Sequence, residues 1–403
     1  MAHPKHPNHV PPQLFWDHDL VEFSAELDDP FHAAARLHDG PDLIWVRDVG
    51  YGRSAWVPTR YALQEEVFQD AERFSSEGVM GLGEMLGVTW PMIPIELDPP
   101  RQTLYRQILN PLFSPRVVTE IEADVRTTCN ALIAPFEDAG GCEYIADFAI
   151  KFPTYVFLAF MGLPREMAAQ FLEWDHKLWR SNDVAVRTHC SRAILHYLQN
   201  FVEEQRRQPR SSFMQGLFAA SVEGRPLTTE EILGISYLVY TAGLDTVYSS
   251  LGWHLRHLAE DQALQERLRS RPEDIPKAVN EFLRAFCVVS GCRSAKYDMD
   301  FHGVFLRKGD LISLPTYLAA RDPAAFEDPH RIDIDRQPRV LAFGTGHHVC
   351  VGMHLARREI KIVLESMLSR FKHIRIPEGD SYRYHSGAAV VGVDYLPLVW
   401  ERT

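Results

Sequence analysis

Residues 43–58 (LIWVRDVGYGRSAWVP) alternate apolar and polar positions on either side of Gly50 and Gly52. That period of two, broken by glycines, predicts a β-hairpin. The period then lengthens. Residues 59–70 read as a helix, and from 101 to 285 almost every apolar position recurs at helical spacing. Asp98-Pro99-Pro100 opens that region, since proline is tolerated in a helix's first turn. Between the two lies 78–97, rich in Gly, Pro, Met and Trp and poor in charge, a long apolar loop of the kind that often carries function. Beyond residue 290 the segments 297–306, 310–315 and 386–400 read as short strands, and Met353 to Phe371 as a helix. The expected fold is mainly α with small β-sheets. No repeat or linker divides it, so residues 1–403 are expected to form a single domain behind a loose, proline-rich tail at 1–13.

One helix stands out. Thr228 followed by Glu231 is a capping box, and a helical pattern runs from there to Ala259. At about 1.5 Å per residue those roughly 32 residues span about 48 Å. The expected radius of gyration is near 22 Å, so the helix crosses most of the molecule and its middle is buried. That middle reads Tyr240-Thr241-Ala242-Gly243-Leu244-Asp245-Thr246. A glycine inside a helix costs about 1 kcal/mol against alanine, and a buried acid costs more unless paired. Two local rules broken side by side point to a functional site. A close helix crossing beside a surface aspartate is the plain alternative, and on these residues alone both stand.

Composition narrows the class. The balance of 42 Lys+Arg against 54 Asp+Glu leaves a net charge of -12, which disfavours general nucleic-acid binding. The most apolar stretch, Ile232 to Leu251, is interrupted by Asp245 and polar residues and does not read as a membrane span. No apolar leader is visible. Six scattered cysteines form neither a CxxC pair nor a disulfide framework, which fits a reducing cytoplasm. His3, His6 and His9 recur in the tail and read as part of a frayed terminus.

The densest chemistry lies at Phe343-Gly344-Thr345-Gly346-His347-His348-Val349-Cys350-Val351-Gly352. Three glycines in nine residues force unusual backbone angles or close approach to something flat. One cysteine sits there just before a helix, whose N-terminus favours a thiolate. A single soft anionic ligand fits a haem-thiolate better than structural zinc, which takes four protein ligands. A zinc site using His347, His348 and Cys350 is the other metal reading. A buried cysteine in a tight turn is the third.

This F-G-x-G-x-H-x-C-x-G pattern resembles the haem-binding loop of the haem-thiolate monooxygenases, the cytochromes P-450. Glu281-Phe282-Leu283-Arg284 resembles the family's E-x-x-R, and Ala242-Gly243-Leu244-Asp245-Thr246 its A-G-x-D-T. Order, spacing and length agree over essentially the whole chain. Asp98-Pro99-Pro100, His354 to Glu359 and Ser386 to Trp400 are similar to the bacterial camphor-hydroxylase branch.

The resemblance implies a P-450 fold, haem b as cofactor and Cys350 as its axial ligand. Phe343, Gly344 and Gly352 would shape the loop, and Ala242 and Gly243 would leave room for O2. His348, Arg106 and Arg293 would hold the propionates. Gln102 stands where many members carry a histidine. Asp245 and Thr246 would handle protons, with Arg180 as Asp245's partner. Glu281, Arg284 and Arg331 would form a structural network. Trp90, Leu238, Val288, Val289, Ala388 and Ala389 would line an apolar pocket for a small terpenoid or norisoprenoid hydroxylated at an unactivated C–H. The branch commonly carries a phenol near the position of Trp90, and its absence here argues against camphor itself. No flavin or dinucleotide segment is visible, so electrons are expected from a [2Fe–2S] ferredoxin and its NAD(P)H-dependent reductase. An H2O2-using peroxygenase, a haem-binding sensor and a zinc hydrolase are the other classes. Locally, 101–116 holds three arginines and no acid, and 353–372 carries five Lys/Arg against two Glu. A basic patch for the ferredoxin is therefore expected on the cysteine side.

Overall fold

The computed structural model describes residues 6–27, 29–181 and 183–403. His3 lies outside the described residues. The expected loose tail does not hold for those that follow it. His9 Nε2 lies 2.9 Å from Asp310 Oδ2, Val10 is buried, and His6 stands edge-on to Phe15.

The predicted hairpin is strands Leu43–Asp48 and Ala55–Pro58, paired with Trp45 opposite Trp56. Its tip needs left-handed backbone at Gly50, Tyr51 and Gly52. The hairpin belongs to a six-stranded sheet in the order Phe15–Asp19, Leu43–Asp48, Ala55–Pro58, Leu311–Pro315, Ser290–Ala295, Phe74–Ser75. Strand Ser290–Ala295 was not visible in the pattern, because it alternates only weakly. A three-stranded sheet (Phe371–Arg375, Pro397–Arg402, Gly141–Glu143) and the hairpin Arg383–Ser386/Val391–Tyr395 complete the part that holds Cys350's helix, Met353–Arg370.

Helices pack around two large apolar cores. One gathers Phe157, Phe171, Leu198, Tyr237 and Tyr240, and the other Leu251, Trp253, Phe282, Val363 and Met367. The expected continuous helix is in fact two, Thr229–Gly243 and Asp245–Glu260. Leu244, at φ -95° and ψ -67°, joins them just where the chain passes from the first core to the second. Thr246 lies at the break, its hydroxyl donating to the Ala242 carbonyl at 2.9 Å. Gly243 lets the bend lie against Phe157, which a Cβ there would meet at 3.3 Å. Among the described residues no helix is long and apolar enough to cross a membrane.

Candidate active site

The cysteine loop is held by its own backbone. The Cys350 N–H donates to the Phe343 carbonyl at 2.9 Å, and a short 3-10 turn, Gly346–His348, closes the bend. Gly344 and Gly346 have φ of +62° and +72°, and a Cβ on Gly346 would lie 2.9 Å from the Phe68 carbonyl. Of the six cysteines only Cys350 is exposed. It sits on the wall of a recess inside the protein, since burial pushes its thiol up. The Gly352 N–H opposes that first, then the charges of Arg106 and Arg357. Arg357 was not singled out in the sequence. Its guanidinium lies 4.5 Å from the Phe343 ring centroid.

The three expected propionate partners behave differently. Arg106 donates to the Val349 carbonyl at 2.6 Å, so part of its role is to hold the loop. Arg293 is 6 % exposed, donates to the Cys292 carbonyl at 2.7 Å, and keeps its Nη2 buried without a partner. Burial lowers its affinity for a proton, a strain that an anion would relieve. His348 is pushed down to about 3 by burial, then by Arg293, so at neutral pH it is a neutral hydrogen-bonding ring rather than a third cation. The Gln102 amide donates to the His347 carbonyl. That residue supports the loop's backbone.

The helix break carries a second cluster of charges. Ala242 is exposed although Thr241 and Leu244 beside it are buried. Asp245 is 1 % exposed and is gripped by Arg180, as expected, at 3.1 and 2.6 Å. Arg180 Nη2 also donates to the Tyr248 hydroxyl. Burial opposes the Arg180 charge, but Asp245 and then Tyr248 outweigh it and raise its pKa. Asp175 was missed. It is buried, its Oδ1 has no partner, and burial, then the Asp245 charge, raise its pKa well above the usual carboxylate range.

The pocket residues come from four segments. Leu238 and Trp90 pack at the edge of one core, Val289 and Ala389 at the edge of the other. The Ser290 N–H donates to the Ala389 carbonyl and the Val391 N–H to the Val288 carbonyl, both at 2.9 Å, which joins two of the walls. Val288 itself is buried in the core, and Val289 is the half-buried member of the pair. The apolar loop contains a short helix, Leu82–Leu86, and has a clamp that the sequence did not reveal. Glu96, 6 % exposed, accepts from the N–H groups of Met80 (3.3 Å) and Met92 (3.0 Å). Gly234 lets the helix lie against the same loop, for a Cβ there would be 2.7 Å from the Pro91 carbonyl.

The structural network needs a correction. Glu281 and Arg284 do pair, at 3.1 and 2.6 Å, both buried. Arg331 supplies only its backbone carbonyl, and its side chain is exposed. The arginine whose side chain reaches Glu281 is Arg336, at 3.4 Å. The five-residue offset was invisible because the intervening turn at Asp333 folds back onto Glu281.

The zinc reading also falls. Among the described residues no group of three or more His, Cys, Asp and Glu is placed to hold a metal ion. One soft sulfur with donors aimed at it, a glycine-lined cradle and a buried arginine with a spare donor fit a flat, anionic, thiolate-ligated group instead.

Comparison agrees. The family model described as Cytochrome P450 matches residues 156–271 and 275–391. The chain is 38% identical to "Probable cytochrome P450 127A1" of Sinorhizobium fredii, over 98% of this chain and 96% of that one. The solved structure of CYP101C1 superposes with a TM-score of 0.89 at 30% identity, covering 98% of this chain and 100% of the other. That of CYP101J2 gives 0.88 at 30%, covering 99% and 100%. The chain belongs to the cytochrome P450 family. It is a haem-dependent monooxygenase of the bacterial, camphor-hydroxylase-like kind, with haem b on a cysteine thiolate, and it uses O2 and a substrate.

Proposed function

We propose that the protein hydroxylates an unactivated C–H bond of a small hydrophobic molecule, a terpenoid or norisoprenoid, with Cys350 as the axial ligand. The observation that carries this reading is the buried Arg180–Asp245 pair with Thr246 at the helix break, beside the exposed Ala242. Bound haem supplies the activation of dioxygen, and the thiolate's electron push favours O–O cleavage. The chain supplies the rest. The Gly352 N–H, Arg106 and Arg357 stabilise the sulfur's charge. Arg293, Arg106 and the neutral His348 hold the haem carboxylates. Ala242 and Gly243 leave space beside the helix, Thr246 orders a proton donor there, and Asp245 passes protons inward. A peroxide-driven enzyme has no need of such a relay, because peroxide already carries its protons.

Trp90, Leu238, Val289, Ala388 and Ala389 would receive the substrate. Electrons would come from a [2Fe–2S] ferredoxin with its NAD(P)H-dependent reductase. Its docking patch is smaller than the sequence count suggested. Arg358 pairs with Glu122, Lys361 with Glu365 and Arg370 with Glu137. On this reading Arg357, half-buried beside Phe343, anchors the ferredoxin, and Arg106 is engaged with the haem and the Val349 carbonyl. The whole chain would act as one haem domain in the cytoplasm.

The dithionite-reduced, CO-bound spectrum tests the centre. A strongly red-shifted Soret band that disappears in Cys350→Ala is expected, and its survival in that variant would overturn the assignment. Binding-induced spectral shifts across a substrate panel test the pocket. A preference for long fatty acids or sugars would sink the terpenoid reading. Ferredoxin-driven turnover that ignores ionic strength would sink the docking patch.

A further inference from the structure

Arg180 covers one side of Asp245, but a second polar run leads away from the same helix face. Ser249 lies one turn beyond Asp245, an i,i+4 neighbour. It is fully buried, and its hydroxyl has no partner. Thr246 and Ser250, by contrast, each turn their hydroxyl onto a carbonyl four residues back, at 2.9 Å. Strand Val391–Tyr395 faces Ser249 with a glycine. A Cβ on Gly392 would lie 2.6 Å from Ser249 Oγ, 2.6 Å from His385 Cε1 and 3.1 Å from His385 Nε2. The serine and the imidazole thus crowd one point, and only glycine admits both. His385 Nε2 is buried and has no partner, while Nδ1 is 2.7 Å from Asp394 Oδ1. The side chain of His385 is 14 % exposed and that of Asp394 43 %.

We propose that Asp394, His385 and Ser249 form an inlet that carries solvent protons to Asp245. Asp394 is the solvent-facing end, and it orients the ring. Buried polar groups at this spacing are bridged directly or by one water. Asp394, protonated from solvent, hands its proton to Nδ1 of the Nε2–H tautomer, which makes the imidazolium and leaves Asp394 a carboxylate. The Nε2 proton passes to Ser249 Oγ, whose own hydroxyl proton goes to the Asp245 carboxylate. Imidazolium and carboxylate become neutral ring and carboxylic acid, so charge balances, and tautomer exchange resets the ring. The other ionisable groups facing this run are His176, Asp175 and Arg180 on helix Ala168–Arg180, and Tyr248 on Asp245's own helix. His176 is lowered by burial and then by Arg180, with Asp394 pulling the other way. The inlet rests on the reading of Asp245 as the residue that passes protons inward.

Two measurements on the holoenzyme separate the ideas. The His385 Cε1–H resonance is titrated in the ferrous CO form, with and without Asp245→Asn. The inlet predicts that the midpoint moves by more than about 0.3 unit, since a ring linked to Asp245 through Ser249 alone feels the loss of that charge. His385→Gln keeps a donor to Asp394 but cannot carry a proton. It is expected to lower ferredoxin-driven turnover on the order of tenfold and to raise the solvent isotope effect, with an unchanged CO spectrum. Ser249→Ala should do the same, and the double variant should be no worse than either single one. An unmoved midpoint together with wild-type turnover in His385→Gln overturns the inlet. Unchanged product formation in Asp245→Asn overturns the underlying reading of Asp245.

Discussion

Two buried arginine–carboxylate pairs, Glu281–Arg284 and Asp245–Arg180, are built to opposite ends. In Glu281–Arg284 every donor of the guanidinium is used: two reach the carboxylate and three reach the carbonyls of Ala320, Pro329 and Arg331. The Asp333 N–H adds a further bond to Glu281. Asp245–Arg180 is also buried, yet Arg180 Nε has no partner, and Tyr248 and Asp175 crowd the same charge. A fully satisfied network has one arrangement and resists change. A partly satisfied one, ringed by ionisable groups, has alternatives close in energy. The first pair ties helix Ile275–Ala285 to the segment that leads into the cysteine loop. The second stands where protons have to move.

The largest test of that contrast is Glu281→Ala, which strands a buried guanidinium. A loss of about 3–5 kcal/mol in folding stability is expected, read as a denaturation midpoint. Arg336→Ala should be clearly destabilising, and Arg331→Ala should leave the midpoint in place. The reverse order would restore Arg331 to the network. Asp245→Asn should act the other way round. Turnover should fall on the order of 10²-fold, while stability shifts by no more than about 1 kcal/mol. If it unfolds the protein as Glu281→Ala does, the two pairs are not different in kind.

A third test uses pH. His254 and His257, packed on Phe282 and Phe286, are pushed down by burial from 6.5 to about 3 and about 4. The unfolded chain binds those protons first, so stability is complete above about 6.5 and declines as pH falls toward 4. Each ring contributes at most about 1.4 kcal/mol per pH unit. His254→Phe should flatten the decline seen in acid midpoints. An unchanged slope would place the acid-sensitive groups elsewhere. The smallest expected effect is Glu96→Gln, which keeps one acceptor and turns an amide against the other N–H. A rise of a few fold in KM with kcat nearly unchanged would mark Glu96 as a residue that positions the pocket loop.

Much of this was legible in the chain. The cysteine loop could be read because its glycines, aromatic and thiol lie within ten residues, and the constraint is local. The Asp245–Arg180 pair was reached only through resemblance, since 65 residues separate its members. The helix break at Leu244 was not read, because the helical spacing of apolar positions runs through it without interruption. Arg336 was hidden for the opposite reason: a short irregular turn shifted the contact by five residues. The charge count over 353–372 misled because it took no account of Glu122 and Glu137, which arrive from another part of the chain. Composition counts charges along a segment, and folding decides which of them meet.

Ala388 was expected to line the pocket, yet its methyl already has a neighbour. The backbone of Gly50, at φ +112°, comes so close that a Cβ there would stand within 2.1 Å of it. The tip of the first hairpin and the tip of the last are therefore one mechanical joint made by residues 338 positions apart. For anyone breeding new selectivity into this scaffold, positions 50 and 388 form a single locus. A library that enlarges Ala388 alone will mostly sample displaced hairpins.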